Sequence, residues 1–414
     1  MGASGLERAK ISEIRGKKVW LRTFGCTYNF GDSEKLAEVL RSQQCTLVCS
    51  QSHAEVIIIN TCTVVAATER KMLRLLGSLK DTDLYVTGCM PLVQMDRIRM
   101  ACSPKFIHPD DIHDYYAGTG TVREGYTGIV QLAKGCGGAC TYCITRKARG
   151  RLHSFPRDEI VSYTQQLVAA GAREIQLTAQ DVSAWGTDTG ESLPALIEDL
   201  AAIPGDFSIR VGMMNPAGIQ PILDPLIDAY GSDRIFKFIH IPVQSGSDSV
   251  IRRMGRNYTA DDFLAIVAAF RRRYPDITLS TDIIVGFPGE TDDEFGASVD
   301  LVRKARPNKV NVTRFSSRPG TPAADLYDMT DYVKKMRSRL IQRAALEGYR
   351  SINTALIGKE VPVMVTESIR AGSVLTRTPE YTNIVLQEDL PAGFRCRVVI
   401  REDRTYFFLG ERVS

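Results

Sequence analysis

Val56-Ile57-Ile58-Ile59-Asn60-Thr61-Cys62 opens with four consecutive apolar β-branched residues and then turns polar. Such a run reads as a strand buried on both faces, the kind found where helices cover a parallel sheet. The chain on either side fits that reading. Residues 18–24 are strand-like, 32–41 and 68–80 helix-like, and 84–86 strand-like again. The order is βαβαβ, an open parallel sheet, and in such sheets functional groups collect beyond the carboxyl ends of the strands. A cysteine stands at each of those ends: Cys26 in Gly25-Cys26-Thr27-Tyr28-Asn29, Cys62 in Asn60-Thr61-Cys62-Thr63, and Cys89 in Thr87-Gly88-Cys89-Met90-Pro91. Neighbouring strands lie ~5 Å apart, so three thiols so placed can converge on one metal-sized site. The same residues read as small buried hydrophobes if they serve only the core.

A second α/β run follows, with strands expected over 128–133, 174–178, 208–212, 236–241, 279–285 and 309–315. Helical periodicity lies between them, which gives a parallel (β/α)₆ sheet or partial barrel. Residues 331–353, rich in Lys and Arg, read as a long basic helix. Beyond it come short alternating strands over 361–366, 383–387, 397–400 and 405–409, a small all-β barrel. The expected division is an α/β chain of three domains, at 1–115, 116–356 and 357–414.

Length and composition agree. A chain of 414 residues exceeds a single core, and 44% apolar with 24% charged residues is ordinary for a globular protein. Net charge is only +4, so a nucleic-acid partner has to be argued from local clusters. No apolar run is long enough to span a membrane, and Met1-Gly2-Ala3-Ser4-Gly5-Leu6 lacks the Ser or Thr of a myristoylation signal, so neither a signal peptide nor a lipid anchor is expected. A soluble cytoplasmic protein without membrane contact is expected. Ten cysteines are too few for a disulfide scaffold and point instead to metal or catalysis.

Three of them form the loop Gly135-Cys136-Gly137-Gly138-Ala139-Cys140-Thr141-Tyr142-Cys143, directly after the first strand of the second sheet. Three thiolates at this spacing suit three irons of a 4Fe-4S cube and leave the fourth iron open to a substrate group. Zinc is the competing reading, but no His lies in the loop.

This C-x₃-C-x₂-C loop resembles the radical S-adenosylmethionine (SAM) superfamily. The wider chain is similar to its methylthiotransferases: the Cys26, Cys62 and Cys89 segments, His240-Ile241-Pro242-Val243-Gln244-Ser245-Gly246-Ser247, Asp282 to Glu290 and Arg318-Pro319-Gly320-Thr321-Pro322-Ala323 occur in family order. Its last part resembles the TRAM domain, an RNA-binding barrel. Ile144-Thr145-Arg146-Lys147-Ala148-Arg149-Gly150 and Trp20 to Cys26 look like the archaeal and eukaryotic group, which modifies N6-threonylcarbamoyladenosine beside the tRNA anticodon (position 37 in tRNA numbering) at adenine C2. Rival substrates are isopentenyladenosine in tRNA and a ribosomal-protein aspartate. A rival of another class is a non-catalytic iron–sulfur RNA-binding protein.

The resemblance implies two 4Fe-4S clusters, a radical cluster on Cys136, Cys140 and Cys143 and an auxiliary one on Cys26, Cys62 and Cys89. It also implies two SAM molecules, one for methyl transfer and one for radical generation, with electron and sulfur donors of unknown identity. Candidate SAM contacts are Tyr142 for adenine, Gln180, Asn215 and Gln244 at strand ends, Arg210 for the carboxylate, and Ile284 and Pro288 for apolar contact. Thr178-Ala179-Gln180-Asp181 stands where other radical SAM enzymes carry Gly-Gly-Glu. Residues 134–157 hold Lys134, Arg146, Lys147, Arg149, Arg151 and Arg157 with no acid before Asp158, a pattern suited to anticodon phosphates. Arg146, Lys147, Arg149 and Arg151, with Lys334 and Lys335 of the basic helix, are the expected RNA contacts of a monomeric enzyme.

Overall fold

The computed structural model describes residues 8–117, 122 and 125–413. The Met1 to Leu6 segment lies outside them. Val56–Thr61 is buried along its whole length and is the middle strand of a five-stranded parallel sheet. Lys18–Thr23 pairs on one side and Leu84–Gly88 on the other, with two-residue strands Thr46–Leu47 and Lys105–Phe106 at the edges. Ile58 joins Val19, Leu36, Leu40 and Tyr85 in one core, while Ile57 and Ile59 join Met72, Leu76 and Val86 in the other. Successive strand residues point to opposite faces, so both faces covered requires an unbroken apolar run. The first helix, Thr27–Ser42, starts a turn earlier than its apolar pattern suggested, because the extended backbone of Cys26 caps it directly.

The central strands are Thr127–Gln131, Glu174–Thr178, Ser208–Arg210, Phe238–His240, Thr278–Val285 and Lys309–Arg314. They are parallel and hydrogen-bonded as two three-stranded sheets, which the bridges Ile209–Ile235 and Met213–His240 join into one curved layer. Ile175, Leu177, Ile209, Ile239, Leu279 and Ile283 pack against the surrounding helices. By strand alternation Gln176, Arg210, Phe238, His240, Asp282 and Asn311 therefore face the interior of a partial barrel. The helix Asp331–Thr354 seals the layer, burying Ile341, Ala344, Ala345 and Tyr349.

Five C-terminal strands, Glu360–Arg370, Ser373–Arg377, Asn383–Leu386, Arg395–Asp403 and Phe408–Arg412, close into a barrel. Ser373–Arg377 was not expected: it holds only two apolar residues and follows Gly372 in a tight hairpin. The last strand begins at Phe408 rather than Thr405, whose φ of 71° puts it in a turn. This barrel closes the amino end of the central one. Arg377 ion-pairs with Glu174, and Tyr381 Oη donates to Glu174 Oε1 at 2.8 Å. Among the described residues no helix is long and apolar enough to cross a membrane.

Candidate functional site

The three N-terminal cysteines lie along the carboxyl edge of their sheet. Cys26 precedes the helix Thr27–Ser42, Cys89 opens the helix Cys89–Arg99, and Cys62 follows the central strand. Gly25 and Gly88 make the close approach possible. A side-chain carbon on Gly25 would stand 3.1 Å from Cys62 Sγ, and one on Gly88, at φ +88°, would stand 2.3 Å from Asn60 Oδ1. Burial pushes the Cys62 thiol up to about 11, and Cys89 and Cys26 push the same way, which puts the three sulfurs within Coulomb range. The backbone N–H of Val64 donates to Cys62 Sγ at 3.5 Å.

The second set lies on the loop after Thr127–Gln131. Its base is closed by Cys136 N–H donating to Gly150 O at 3.3 Å. Gly138 sits between two sulfurs: a Cβ there would be 3.4 Å from Cys136 Sγ and 3.8 Å from Cys140 Sγ. Its N–H donates to Cys136 Sγ at 3.2 Å, the usual support for a ligating sulfur. Burial raises both the Cys136 and Cys140 thiols, while the Arg256 guanidinium draws both down. All six cysteines are free, and among the described residues no three His, Cys, Asp or Glu side chains are drawn together tightly enough for a single ion. Two open, all-sulfur sets of three fit clusters in which each ligand serves a different iron.

Arg149 joins the two sets. It ends the short helix Thr145–Arg149 and is only 3% exposed. Its Nε donates to Cys89 Sγ at 3.2 Å and its Nη2 to Asn29 Oδ1 at 2.7 Å, while the guanidinium stacks over Tyr28 at 4.9 Å. Nη2 also lies 2.7 Å from Asp32 Oδ2, a contact of charge more than of aligned hydrogen bonding. Burial pushes the Asp32 carboxyl up, but Arg149 with His113 and Gln131 holds it well below the usual carboxylate range.

This overturns part of the expected RNA track. Arg149 is buried and cannot reach a phosphate. Lys134 and Arg157 pair with Asp110 and Asp199, acids outside the segment where none was found. Lys334 is buried, donating to Phe315 O at 3.0 Å and Asp328 Oδ2 at 2.7 Å. Arg146, Lys147, Arg151 and Lys335 stand exposed.

At the barrel rim Gln180 and Gln244 each bury a side-chain oxygen with no partner. Gln244 is held at φ 68°, strained for a non-glycine residue, between the strands ending at His240 and Val285. A buried orphan acceptor on a strained backbone marks a position built for a ligand. Asn215 caps a helix, its Oδ1 accepting from Ala217 N–H at 3.3 Å. Tyr142 packs with Ile284, Phe287 and Phe315, and Pro288 is buried beside them. Arg210 is not at this rim. Its guanidinium lies over Phe238 and Tyr381, toward the amino end, because the strand Ser208–Arg210 ends low in the barrel.

Two residues gain roles that the sequence did not assign: Arg256, which no motif included, and Arg318, which stands in a family motif. Arg256 donates to Tyr142 Oη at 2.7 Å, stacks near Tyr258 and leaves its buried Nε unpartnered beside the cysteine loop. Its turn is the loop's seat, since Thr141 N–H donates to Met254 O at 3.0 Å; Gly255 before it, at φ 73°, was the available signal. Arg318 pairs with Glu69 at 2.7 Å and donates to Val64 O at 2.9 Å, fastening the Pro319-Gly320 loop beside Cys62.

Residues 130–302 match the family model described as the radical SAM superfamily, and residues 18–105 match the uncharacterized protein family UPF0004. The chain is 39% identical to the probable threonylcarbamoyladenosine tRNA methylthiotransferase of Pyrococcus horikoshii, over 96% of this chain and 100% of that protein. It is 32% identical to the threonylcarbamoyladenosine tRNA methylthiotransferase of Homo sapiens, over 96% of this chain and 74% of that one. In fold it is similar to a radical S-adenosylmethionine methyltransferase, TsrM, from Kitasatospora setae, solved with cobalamin and a 4Fe-4S cluster (TM-score 0.53, 14% identity, 75% of this chain and 77% of that chain).

Proposed function

Because the chain belongs to the radical SAM methylthiotransferases, in the group named for threonylcarbamoyladenosine of tRNA, we propose that it converts N6-threonylcarbamoyladenosine beside the anticodon to its 2-methylthio derivative. In this reading residues 1–115 carry the auxiliary cluster on Cys26, Cys62 and Cys89. Residues 116–356 carry the radical cluster on Cys136, Cys140 and Cys143, and 357–414 form an RNA-binding barrel. The enzyme works in the cytoplasm as a monomer on the anticodon stem-loop, with electrons and sulfur from outside donors. When bound, the clusters and SAM supply reductive cleavage of a sulfonium and a sulfur for insertion.

The chain's own residues bind and orient. Gln180 and Gln244 offer unsatisfied oxygens to the hydroxyl and amino groups of SAM. Tyr142 and Ile284 belong to one apolar cluster with Phe287, next to which Pro288 is buried, and this cluster is the wall that would face SAM; Arg256 fixes the Tyr142 ring through its hydroxyl. Arg146, Lys147, Arg151 and Lys335 present exposed charge to phosphates.

The observation that carries the reading is the 3.2 Å contact between Arg149 Nε and Cys89 Sγ. Arg149 ends the helix Thr145–Arg149 that follows Cys143, so its contact draws the second cysteine loop toward the first set and supports a shared site where a base meets both. Anaerobically reconstituted enzyme, given SAM, reductant, sulfide and threonylcarbamoylated tRNA, should release 5′-deoxyadenosine and yield the 2-methylthio nucleoside by mass spectrometry. Release of 5′-deoxyadenosine without that nucleoside refutes the substrate; neither product refutes the enzyme class.

A further inference from the structure

The interior of the central barrel holds a donor without an acceptor. Arg210 is half-buried, and its guanidinium is clamped over Phe238 at 5.0 Å and Tyr381 at 5.7 Å. Among the described residues no hydrogen bond or ion pair engages it. The carboxylates that share the interior are already committed. Glu174 takes Arg377, Tyr381 Oη at 2.8 Å and Gln176 Nε2 at 2.6 Å. Asp282 has His240 Nε2 3.1 Å from each oxygen and takes Asn311 Nδ2 at 2.7 Å. One rigid, partly dehydrated guanidinium is left over, and such a fork matches a carboxylate in two parallel hydrogen bonds.

We propose that Arg210 is the receptor for the carboxylate of the substrate's N6-threonylcarbamoyl arm, a specificity determinant rather than a SAM contact; this rests on the substrate reading above. The arm ends in a carboxylate, whereas adenine and isopentenyladenine carry none. Dimensions agree. Arg210 pairs in register with Gln176, four residues below Gln180 at the rim, about 13 Å along the strand at ~3.3 Å per residue. The arm spans roughly 7 Å, two residue lengths, so a carboxylate held by Arg210 puts the adenine about half of the way up to the rim. Between the two levels lies the polar layer of His240, Asp282 and Asn311, whose side chains are bonded to one another and line the arm's path. The rings of Phe238 and Tyr381 restrict the guanidinium and exclude water from one face, which strengthens its hold on an anion.

The test uses the full-length reconstituted enzyme and one tRNA in three forms: threonylcarbamoylated, unmodified, and threonylcarbamoylated with the carboxylate methyl-esterified. Wild type should bind the acid form about ten- to a hundredfold more tightly than the other two, the range for a hydrogen bond to a charged group. Arg210→Met should bind all three within about threefold, and Arg210→Lys should fall between, as loss of the fork predicts. Iron content, thermal midpoint and SAM affinity are measured on each variant. A wild type that prefers the acid form, with an Arg210→Met that prefers it equally, overturns the proposal alone. So does a variant that loses SAM affinity and keeps the preference. Should Arg210→Met not fold, wild type that binds the ester as well as the acid overturns it. A wild type with no preference for modified tRNA overturns the substrate reading and this proposal together.

Discussion

Replacing Arg149 by Met separates a buried structural cation from a phosphate contact. Asp32 is 1% exposed, and its charge is balanced by the guanidinium 2.7 Å away. Removing one partner of a buried pair leaves an uncompensated charge and costs about 3–5 kcal/mol, whereas an exposed Arg away from such features changes stability by about 0.5 kcal/mol or less. The variant also loses the bonds to Asn29 Oδ1 and Cys89 Sγ. Anaerobic denaturant titration of wild type, Arg149→Met, Asp32→Asn and the double variant should therefore give a large loss for Arg149→Met that Asp32→Asn partly restores. The pH dependence follows the same pair. The Asp32 carboxyl is held below its ordinary value of about 3.9, so its contribution is fully present above that pH and is lost as pH falls through the folded value. Wild type should lose this increment in acid, and the double variant should not. An Arg149→Met protein within about 1 kcal/mol of wild type, with weaker tRNA binding and a smaller salt slope, would refute the buried-pair argument.

The remaining expectations are direct. Reconstituted wild type should hold about eight irons; Cys140→Ala should keep about four and lose SAM cleavage, while Cys62→Ala should lose sulfur insertion and keep some SAM cleavage. Iron analysis and 5′-deoxyadenosine release check both, and a wild type saturating at about four irons contradicts them. Gly88→Ala should lower auxiliary-cluster iron occupancy, because its Cβ would meet Asn60 Oδ1 at 2.3 Å and Thr61 O at 2.4 Å and displace Cys89; normal iron content rejects this. Replacing Arg146, Lys147 and Arg151 by Ala should weaken tRNA binding and lower the salt slope by about one unit per lost contact. An unchanged slope moves the contact to Lys335 and the C-terminal barrel.

Local pattern was enough for the sheets and the cysteines. Val56 to Ile59 had to be a doubly covered strand, and a cysteine after each of three parallel strands had to fall on one edge, because parallel strands align their carboxyl ends. The loop from Cys136 to Cys143 likewise carries its spacing within eight residues. Charge was different. Arg149 looks identical to Arg151 on paper, yet one is sealed against Asp32 and the other is exposed. Lys334 and Lys335 are neighbours with opposite fates, since a helix turns ~100° per residue and only one side meets Phe315 and Asp328. The acids that neutralise Lys134 and Arg157 lie 24 and 42 residues away. Arg210 sits at the end of a strand in sequence but low in the barrel, because that strand is three residues long and the C-terminal Tyr381 comes up beneath it. Strand identity and thiol spacing are short-range properties that a sequence carries. Which charges remain free depends on partners brought together by folding, and only the tertiary structure decides that.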